Sequence, residues 1–475
     1  MQPSEIRAAV RARTAGRLLA VLDDDPTGSQ SVRGVQVVTV FDPAEYAAAL
    51  AEPTPALFVL TNSRGLGEAE AADLSGRIAA DLVAIAASRD AQLDLVSRGD
   101  STLRGHVLAE VDALDRARRA ALGSGFDVKL FAPAFFEAGR TTVDDIHRVR
   151  IDGVDVPAGE TEYARDATFG YRSSHLAEFL AEKSGGTIDP ADVVSLTLDD
   201  IRRGGPERVA RILGGLRGGV HVVVNAERDA DYDVVALGVA LAREAGTSIV
   251  TRGGPSIVRA LAGIEPGDPL RPAEIWPDGR RPGHGLVAVG SHVSGTSRQV
   301  ARLRERGTVH AIELRVARVL DDGTRDAHIA EVGAAVTAAL ASGTVLVSTS
   351  RDLVRGADAA TSLDIARRVS AALTEVAAIA LAARPAWVVA KGGITSHEVA
   401  VAGFGVRRAE VAGQLGRGII SLFRPLAARP EAVGMPYVVF AGNVGTEDSL
   451  ADVVELLDRD PDEPGIFASL PMRTG

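Results

Sequence analysis

Short apolar runs of strand length alternate with helix-like segments along most of the 475-residue chain. Several runs lead directly into polar loops: residues 18–22 precede the three aspartates 23–25, residues 56–60 precede a loop with Arg64, and residues 92–96 precede another charged loop. This alternation is typical of βαβ units, in which helices join parallel strands. We therefore predict an α/β fold with mostly parallel sheets flanked by helices, and chemistry at the carboxyl ends of the strands.

A proline-rich segment divides the chain into two halves. Residues 263–285 contain five prolines and five glycines and show no periodic pattern. Irregular stretches of this kind between periodic segments are typical linkers, and a chain of this length needs more than one core. We predict a first domain at residues 1–262, a linker at 263–285 and a second domain at 286–475.

The composition excludes several kinds of chemistry. The chain has no cysteine, which excludes disulfides, thiolate catalysis and zinc–thiolate sites and is consistent with a cytoplasmic location. The net charge of −11 argues against general nucleic-acid binding. No apolar run approaches the roughly 18–20 residues of a membrane span, and the first residues lack the apolar core of a signal peptide. We expect a cytoplasmic protein with neither a nucleic-acid nor a membrane partner.

The aspartates 23–25 form the first candidate site, together with the predicted turn Pro26-Thr27-Gly28. Adjacent carboxylates repel one another, and a metal, an arginine or a hydroxyl-bearing substrate would relieve that cost. An acidic surface turn is the alternative, because Asp, Pro and Gly all favour turns.

A second cluster of polar residues follows the run 92–96. Together with Arg64 and the aspartates, it supplies arginines for a carboxylate and carboxylates for hydroxyls, the groups that a small polyhydroxy acid needs. A surface ion-pair cluster is the alternative. Arg140 opens a polar segment, residues 140–168, which we interpret as an insertion or β-ribbon near the site. The members of the cluster are Arg98, Asp100, Ser101, Thr102 and Arg104.

Three loops of small residues follow strands in the second half and predict a nucleotide site. Glycines let backbone N–H groups approach phosphate closely, a helix N-terminus adds a positive field, and a lysine adds a cation. Simple helix capping and tight connections are the alternative. Neither a P-loop nor a dinucleotide-binding glycine motif is present. The candidate residues are Ser291, Ser294, Thr296, Lys391, Gly392, Gly393, Ile394, Thr395, Gly442 and Asn443.

Six motifs resemble those of the four-carbon acid sugar kinase family and occur in the same order over nearly the whole chain. They are LDDDPTG, SRGDSTLRGH, PAFFEAGRT, VGSHVSGTSRQ, KGGITS and FAGNVG. The resemblance implies ATP-dependent phosphorylation of the terminal hydroxyl of threonate, erythronate or a 3-oxo-tetronate. It also implies an acid-sugar-binding first domain and a nucleotide-binding second domain.

The resemblance implies roles for individual residues. Either Asp24 or Asp25 would be the base that deprotonates the attacking hydroxyl. Two positions depart from the family pattern: Pro26 replaces a bulky apolar residue, and Ile394 replaces an acidic one, which removes any metal role there. The implied substrate contacts are Arg64 and residues 100–102, and the implied ATP contacts are Ser291, residues 392–395 and Gly442.

We expect the two domains to close around ATP with Mg²⁺ and a short sugar acid. The sequence does not identify the metal ligands. A homodimer is one possible assembly. A haloacid-dehalogenase-like phosphatase is an alternative, because Asp23-x-Asp25-x-Thr27 after an apolar strand is the nucleophile motif of that class. Its late paired-aspartate motif is missing. A non-catalytic sugar-acid sensor is the third interpretation.

Overall fold

The computed structural model describes residues 1–25, 31–351, 354, 359–416, 420–442 and 444–460. It divides into two compact units, Met1–Gly267 and Asp268–Gly475. The division falls inside the proline-rich segment 263–285, although the functional limits of the domains stay a prediction. The predicted turn Pro26-Thr27-Gly28, Asn443 and a predicted loose tail at 461–475 lie outside the described residues.

Unit 1 is built on an eight-stranded sheet in which every described pair of neighbours is parallel. The strand order is β2-β3-β1-β4-β11-β5-β10-β9. Because the strands are parallel, their carboxyl ends meet at one edge. The strands are β1 (Leu18–Asp23), β2 (Val35–Val38), β3 (Leu57–Leu60), β4 (Leu93–Arg98), β5 (Val128–Ala132), β9 (Val194–Leu196), β10 (Val220–Val224) and β11 (Ile249–Gly253).

Helices connect these strands and cover apolar side chains of the sheet. One core cluster joins Leu22 and Val59 of the sheet to Ile78, Leu82 and Leu114 of two neighbouring helices. The helices are α1 (Pro3–Thr14), α2 (Pro43–Ala51), α3 (Glu68–Ser88), α4 (Val107–Leu122), α5 (Leu176–Lys183), α6 (Leu198–Arg202), α7 (Gly205–Gly214), α8 (Asp229–Glu244) and α9 (Pro255–Leu261).

A small antiparallel sheet interrupts unit 1 after β5. It consists of β6 (Arg140–Val143), β7 (Ile146–Ile151) and β8 (Val154–Pro157), in that order. The β-ribbon expected from the polar segment 140–168 is therefore present over its first part, and two short helical turns follow it.

In unit 2 the strand order is β13-β14-β12-β15-β18-β17-β16. Strands β12 to β15 and β18 run parallel, whereas β17 is antiparallel to both of its neighbours. The strands are β12 (Leu286–Val289), β13 (His310–Leu314), β14 (Val345–Thr349), β15 (Val388–Lys391), β16 (Arg408–Gly416), β17 (Ile420–Ala427) and β18 (Tyr437–Phe440).

The core of unit 2 includes the fully buried Trp387, which shares a cluster with Val287, Leu346 and Phe440. The predicted fold class, two α/β domains on mostly parallel sheets, is confirmed. The helices are α10 (Pro272–Ile275), α11 (Ser294–Glu305), α12 (Val316–Leu320), α13 (Arg325–Ala339), α14 (Ala359–Ala380), α15 (Gly393–Glu398) and α16 (Ser449–Asp458).

Three local features differ from what the sequence indicated. A single helix over residues 199–213 is two helices, α6 and α7, because Gly204-Gly205-Pro206 interrupts it. The segment 263–285 is not wholly irregular, since it contains α10. Strands β16 and β17 were not predicted; their glycines and Pro425 argue against strands, and the structure accommodates them at irregular register positions.

Within the described ranges, no helix combines the length and apolar character needed to cross a membrane.

Candidate functional site

The carboxyl edge of the unit 1 sheet begins with a buried ion pair. The register places Asp23 opposite Arg98, and the two side chains pair at 2.9 Å. The Asp23 Oδ1 atom also accepts the backbone N–H of Asp25 at 3.0 Å. Burial raises the pKa of Asp23 to about 7 against the opposing charge of Arg98. Asp23 is completely buried and shapes the turn that presents the next two aspartates.

Asp24 lies between two guanidinium groups. Its Oδ1 atom is 3.2 Å from Arg64 Nε, and its Oδ2 atom is 3.3 Å from Arg252 Nη2. Burial raises the pKa of Asp24, and the two arginines oppose that shift. Gly105 packs directly against this carboxylate with φ +108°, and a Cβ atom at this position would lie 2.9 Å from Asp24 Oδ2. The arrangement fixes Asp24 in place.

Arg64 lies close to three carboxylates. Besides Asp24, its guanidinium donates to Asp25 Oδ2 and lies 3.9 Å from Asp100 Oδ2. The side chain of Asp25 is 26% exposed, compared with 1% for Asp24. Asp25 is therefore the member of the pair that a ligand can reach.

The loop after β4 holds the remaining predicted substrate residues of this cluster. The backbone N–H of Thr102 donates to Asp100 Oδ1 at 3.1 Å, and Arg104 Nε donates to Asp100 Oδ2 at 2.6 Å. Although burial opposes it, Arg64 and then Arg104 hold the pKa of Asp100 well below its usual range. Asp100 is thus a fixed negative charge.

Arg140 completes the predicted group at the start of β6. Its Nη1 atom donates to Ser101 Oγ at 3.0 Å, and its guanidinium lies 5.9 Å from the ring centres of Phe135 and Tyr163. Within the part of the chain that the structure describes, no carboxylate forms an ion pair with Arg140, and its buried Nε atom has no hydrogen-bond partner. Arg140 is the arginine of this site best suited to an external carboxylate.

Two functional residues of this edge were missed by sequence reasoning. Arg252, the penultimate residue of β11, donates to Glu110 Oε2 and to Ser97 Oγ, the latter at 2.6 Å. Glu110 also accepts from Ser63 Oγ at 2.5 Å. The available signal was the Arg-Gly pair at residues 252–253, which repeats the Arg98-Gly99 pair at the end of the neighbouring strand.

His147 contacts the backbone of the loop after β4. The ring is fully buried, with Nε2 2.8 Å from the Ser101 carbonyl oxygen and Nδ1 2.9 Å from Thr142 Oγ1. Burial lowers the pKa of His147 to about 4, and among nearby charges Arg140 adds to the shift while Asp100 opposes it. The neutral ring therefore holds the Ser101 backbone in position.

We expect His147 to contribute stability that is lost as the pH drops from about 6.5 to about 4. Unfolded histidine titrates near pH 6.5. In this window the unfolded chain binds a proton at His147 that the folded chain excludes, so the free energy of unfolding decreases with falling pH, on the order of 1–3 kcal/mol. Urea unfolding of wild type and His147→Gln at pH 7 and pH 4.5 measures this loss, which should be smaller in the variant. Equal losses would contradict the assignment.

In unit 2, the loops after β12, β15 and β18 meet at the carboxyl edge of the parallel strands. Thr296 Oγ1 donates to the Gly442 carbonyl oxygen at 2.8 Å and approaches Ser291 Oγ at 3.2 Å. Gly392 has φ +121°, and a Cβ atom there would lie 3.1 Å from Thr395 Oγ1 and 3.2 Å from Ser291 Cβ. The structure therefore brings together five predicted nucleotide-site residues: Ser291, Thr296, Gly392, Thr395 and Gly442.

The Lys391 side chain is buried under the nucleotide-site loops and is not exposed at their surface. It is fully buried, and its Nζ atom donates to the carbonyl oxygens of Ala441 at 2.7 Å and Val444 at 3.2 Å. The same atom is 3.7 Å from the ring centre of Phe440. Burial lowers the pKa of Lys391 to about 7. In this structure Lys391 holds the loop after β18, whereas we predicted a cation available to phosphate.

The contacts among these five residues do not include three other predicted nucleotide-site residues, Ser294, Ile394 and Gly393. Ser294 is exposed at the start of α11, and Ile394 is 64% exposed. Gly393 opens α15, a helix of six residues.

The described residues offer few side-chain ligands for a metal ion. No group of three or more His, Cys, Asp or Glu side chains suited to a metal ion occurs among the described residues. Mg²⁺ that accompanies nucleotides is usually held by one or two carboxylates together with phosphates, so the residues present fit only a nucleotide-borne ion.

Two family models match successive parts of the chain. Residues 19–261 match a sugar-binding N-terminal domain, and residues 286–450 match a nucleotide-binding C-terminal domain. The protein thus combines a sugar-binding and a nucleotide-binding domain. The chain belongs to the four-carbon acid sugar kinase family, as its motifs indicated.

Solved structures support the fold. A Haemophilus influenzae protein of the DUF1537 family has a TM-score of 0.64 at 18% identity, covering 92% of this chain and 99% of that one. A Salmonella typhimurium LT2 protein provisionally named a tRNA synthase has a TM-score of 0.69 at 18% identity and the same coverage. At this identity the likeness concerns the fold alone. No curated protein matches the chain.

A Bordetella bronchiseptica protein of the DUF1537 family is similar at 26% identity over 92% of this chain and 98% of that one. It was solved with bound citrate as a domain-swapped dimer, and its TM-score is 0.38. At this TM-score the similarity does not bear on the assembly of this chain. The predicted homodimer stays a prediction.

Proposed function

We propose that this protein is an ATP-dependent kinase that phosphorylates the terminal hydroxyl of a four-carbon sugar acid. One observation carries the proposal: a sugar-binding family domain presents Asp25 beside Arg64 and leaves Arg140 without an ion-pair partner in the described chain. This set matches a substrate with a hydroxyl at one end and a carboxylate at the other. A nucleotide-binding family domain accompanies it.

Arg140 binds the carboxylate of the acid in this proposal. Its contact with Ser101 and the two aromatic rings orients the guanidinium, so little freedom is lost on binding. Asp100 and Thr102 lie on the same loop and are suited to the substrate's hydroxyl groups.

Asp25 acts as the base and Asp24 as a positioning residue. The attacking oxygen forms a bond to the γ-phosphorus, the bond from that phosphorus to the β–γ bridging oxygen breaks, and Asp25 takes the hydroxyl proton. Asp24 holds Arg64, and Arg64 in turn holds Asp25. The reaction depends mainly on positioning and charge neutralisation.

The nucleotide lies against the loops that carry Ser291, Gly392 and Gly442. Glycine at 392 and 442 lets the Ser291 side chain pack directly against the loop backbone, and glycine-rich loops of this kind bring backbone amides close to phosphate. Mg²⁺, when bound, neutralises charge on the transferred phosphate.

The burial of Asp23 argues against the phosphatase alternative. A phosphatase of that class would need Asp23 to attack phosphorus, yet its side chain is completely buried and one oxygen is held by Arg98 and by the Asp25 amide. A sugar-acid sensor would not need a nucleotide-binding domain, which this family carries.

An ADP-release screen tests the function. We expect ATP- and Mg²⁺-dependent ADP release with threonate, erythronate or a 3-oxo-tetronate, and none with the matching four-carbon polyols, which lack the carboxylate. Phosphate release from sugar phosphates without ATP is the control for a phosphatase. ADP release at the background rate with every acid would refute the proposal.

A further inference from the structure

Arg351, which follows β14 after one residue, has no counter-charge among the residues that the structure describes. Its Nη2 atom donates to the Ser291 carbonyl oxygen at 2.8 Å and to Ser297 Oγ at 2.7 Å. Its Nε and Nη1 atoms are buried and have no hydrogen-bond partner within the described part of the chain. No carboxylate in the described ranges pairs with it. The guanidinium is oriented by the nucleotide loop but only partly satisfied.

Two further basic side chains lie near Arg351, and one carboxylate, Glu313, accepts from the adjacent Ser350 Oγ at 3.0 Å. Arg304 of α11 donates to Ser348 Oγ at 3.3 Å. Burial, and then the charge of Arg304, lower the pKa of Arg351. The Nε2 atom of His292 lies 3.3 Å from Thr349 Oγ1, and its buried Nδ1 atom has no hydrogen-bond partner among the described residues. The charges of Arg304 and Arg351 repel each other, and a bound anion would relieve that repulsion.

A neighbouring arginine of unit 2 has the opposite arrangement. Arg306, just beyond the end of α11, pairs with Asp448, Asp452 and Glu455 at 2.9, 2.9 and 2.7 Å. A buried guanidinium without such partners is costly unless a ligand supplies negative charge.

We propose that Arg351 is a phosphate-binding residue and that its Nε and Nη1 atoms donate to the phosphate chain of the nucleotide. The assignment rests on the proposed kinase function and adds to it a residue outside the predicted glycine and serine loops. Nη2 already bonds to the carbonyl oxygen of Ser291, so the remaining two nitrogens lie in the same loop cluster. The N-terminus of the 12-residue helix α11 adds a positive field at the same place.

Nucleotide binding to the full chain tests this role by calorimetry. We expect Arg351→Gln to weaken ATP binding about tenfold or more, because hydrogen bonds to a charged phosphate are lost. Adenosine, which has no phosphate, should bind both proteins equally. Arg351→Lys should recover part of the ATP affinity, because it keeps the charge but not the planar donors. Arg318→Gln removes an exposed arginine paired with Glu331 in the same unit and serves as the matched control.

Thermal unfolding without nucleotide separates ligand binding from a structural role. Since its charge is uncompensated, Arg351→Gln should unfold no earlier than the control variant. Earlier unfolding, or equal weakening of ATP and adenosine binding, would overturn the assignment. Wild-type affinity for ATP in Arg351→Gln would also overturn it while leaving the kinase proposal intact. Absence of ATP binding by the wild type would refute the kinase proposal itself.

Discussion

Asp25→Asn is expected to lower kcat about 10²–10⁴-fold, the usual contribution of a positioned general base. The amide keeps the size of the side chain but accepts no proton from the attacking hydroxyl. Because the Asp25 side chain is 26% exposed, the fold should tolerate the change. Steady-state kinetics on the best acid of the screen, with a thermal unfolding curve for each protein, measure both effects.

Asp73→Asn is the matched control for this variant. Asp73 lies on α3, its side chain is 70% exposed, and its ion-pair partner among the described residues is Arg77, one turn along the same helix. This variant should show wild-type kinetics. Turnover that survives in Asp25→Asn would remove Asp25 as the base and return the role to Asp24.

Asp24→Asn is expected to lower the free energy of unfolding by about 3–5 kcal/mol, in addition to reducing activity. Removing this charge leaves Arg64 and Arg252 facing each other across a carboxamide, and the Asp24 side chain is only 1% exposed. Equilibrium unfolding in urea measures the loss, with Asp73→Asn again as the control. An unchanged unfolding midpoint would show that the two arginines do not depend on Asp24.

Comparing Asp25→Asn with Asp24→Asn distinguishes a residue that acts as the base from one that positions it. A base that contacts the substrate affects turnover without affecting stability, whereas a positioning residue affects both. The opposite pattern, an unstable Asp25→Asn and a stable but inactive Asp24→Asn, would exchange the two roles.

The parallel part of each sheet could be predicted because each strand is an apolar run that stops at polar residues. Strand β1 ends in aspartates and β4 leads into Ser101 and Thr102, so their ends were recognisable. The antiparallel strands β16 and β17 could not be recognised in the same way. Their glycines and Pro425 are compatible with strands only because the pairing is irregular there.

The site was predictable as a set of residues but not as a set of contacts. Arg64 was expected to meet a substrate carboxylate, yet it already contacts Asp24, Asp25 and Asp100. Which charges pair depends on distances between strands that are remote in sequence. Arg252 illustrates this, because it lies 228 positions from its partner Asp24.

Burial was the second property that the sequence could not reveal. Lys391 and Arg351 both come at or just after the end of a strand and look equivalent in the sequence. The Lys391 amine donates to backbone carbonyl groups, whereas two nitrogens of Arg351 have no hydrogen-bond partner in the described ranges. Only the packing around each side chain distinguishes a loop support from a candidate ligand contact.

The close packing of Gly105 on Asp24 has an evolutionary consequence. Any side chain at 105 would crowd Asp24 Oδ2 and Arg252 Nη2, for which a Cβ atom would lie at 2.9 and 3.2 Å. Substitutions at these three positions should therefore be correlated among homologues. A divergent homologue that has a larger residue at 105 should also have lost the acidic side chain at 24 or the arginine at 252, and with it this way of orienting the reactive turn.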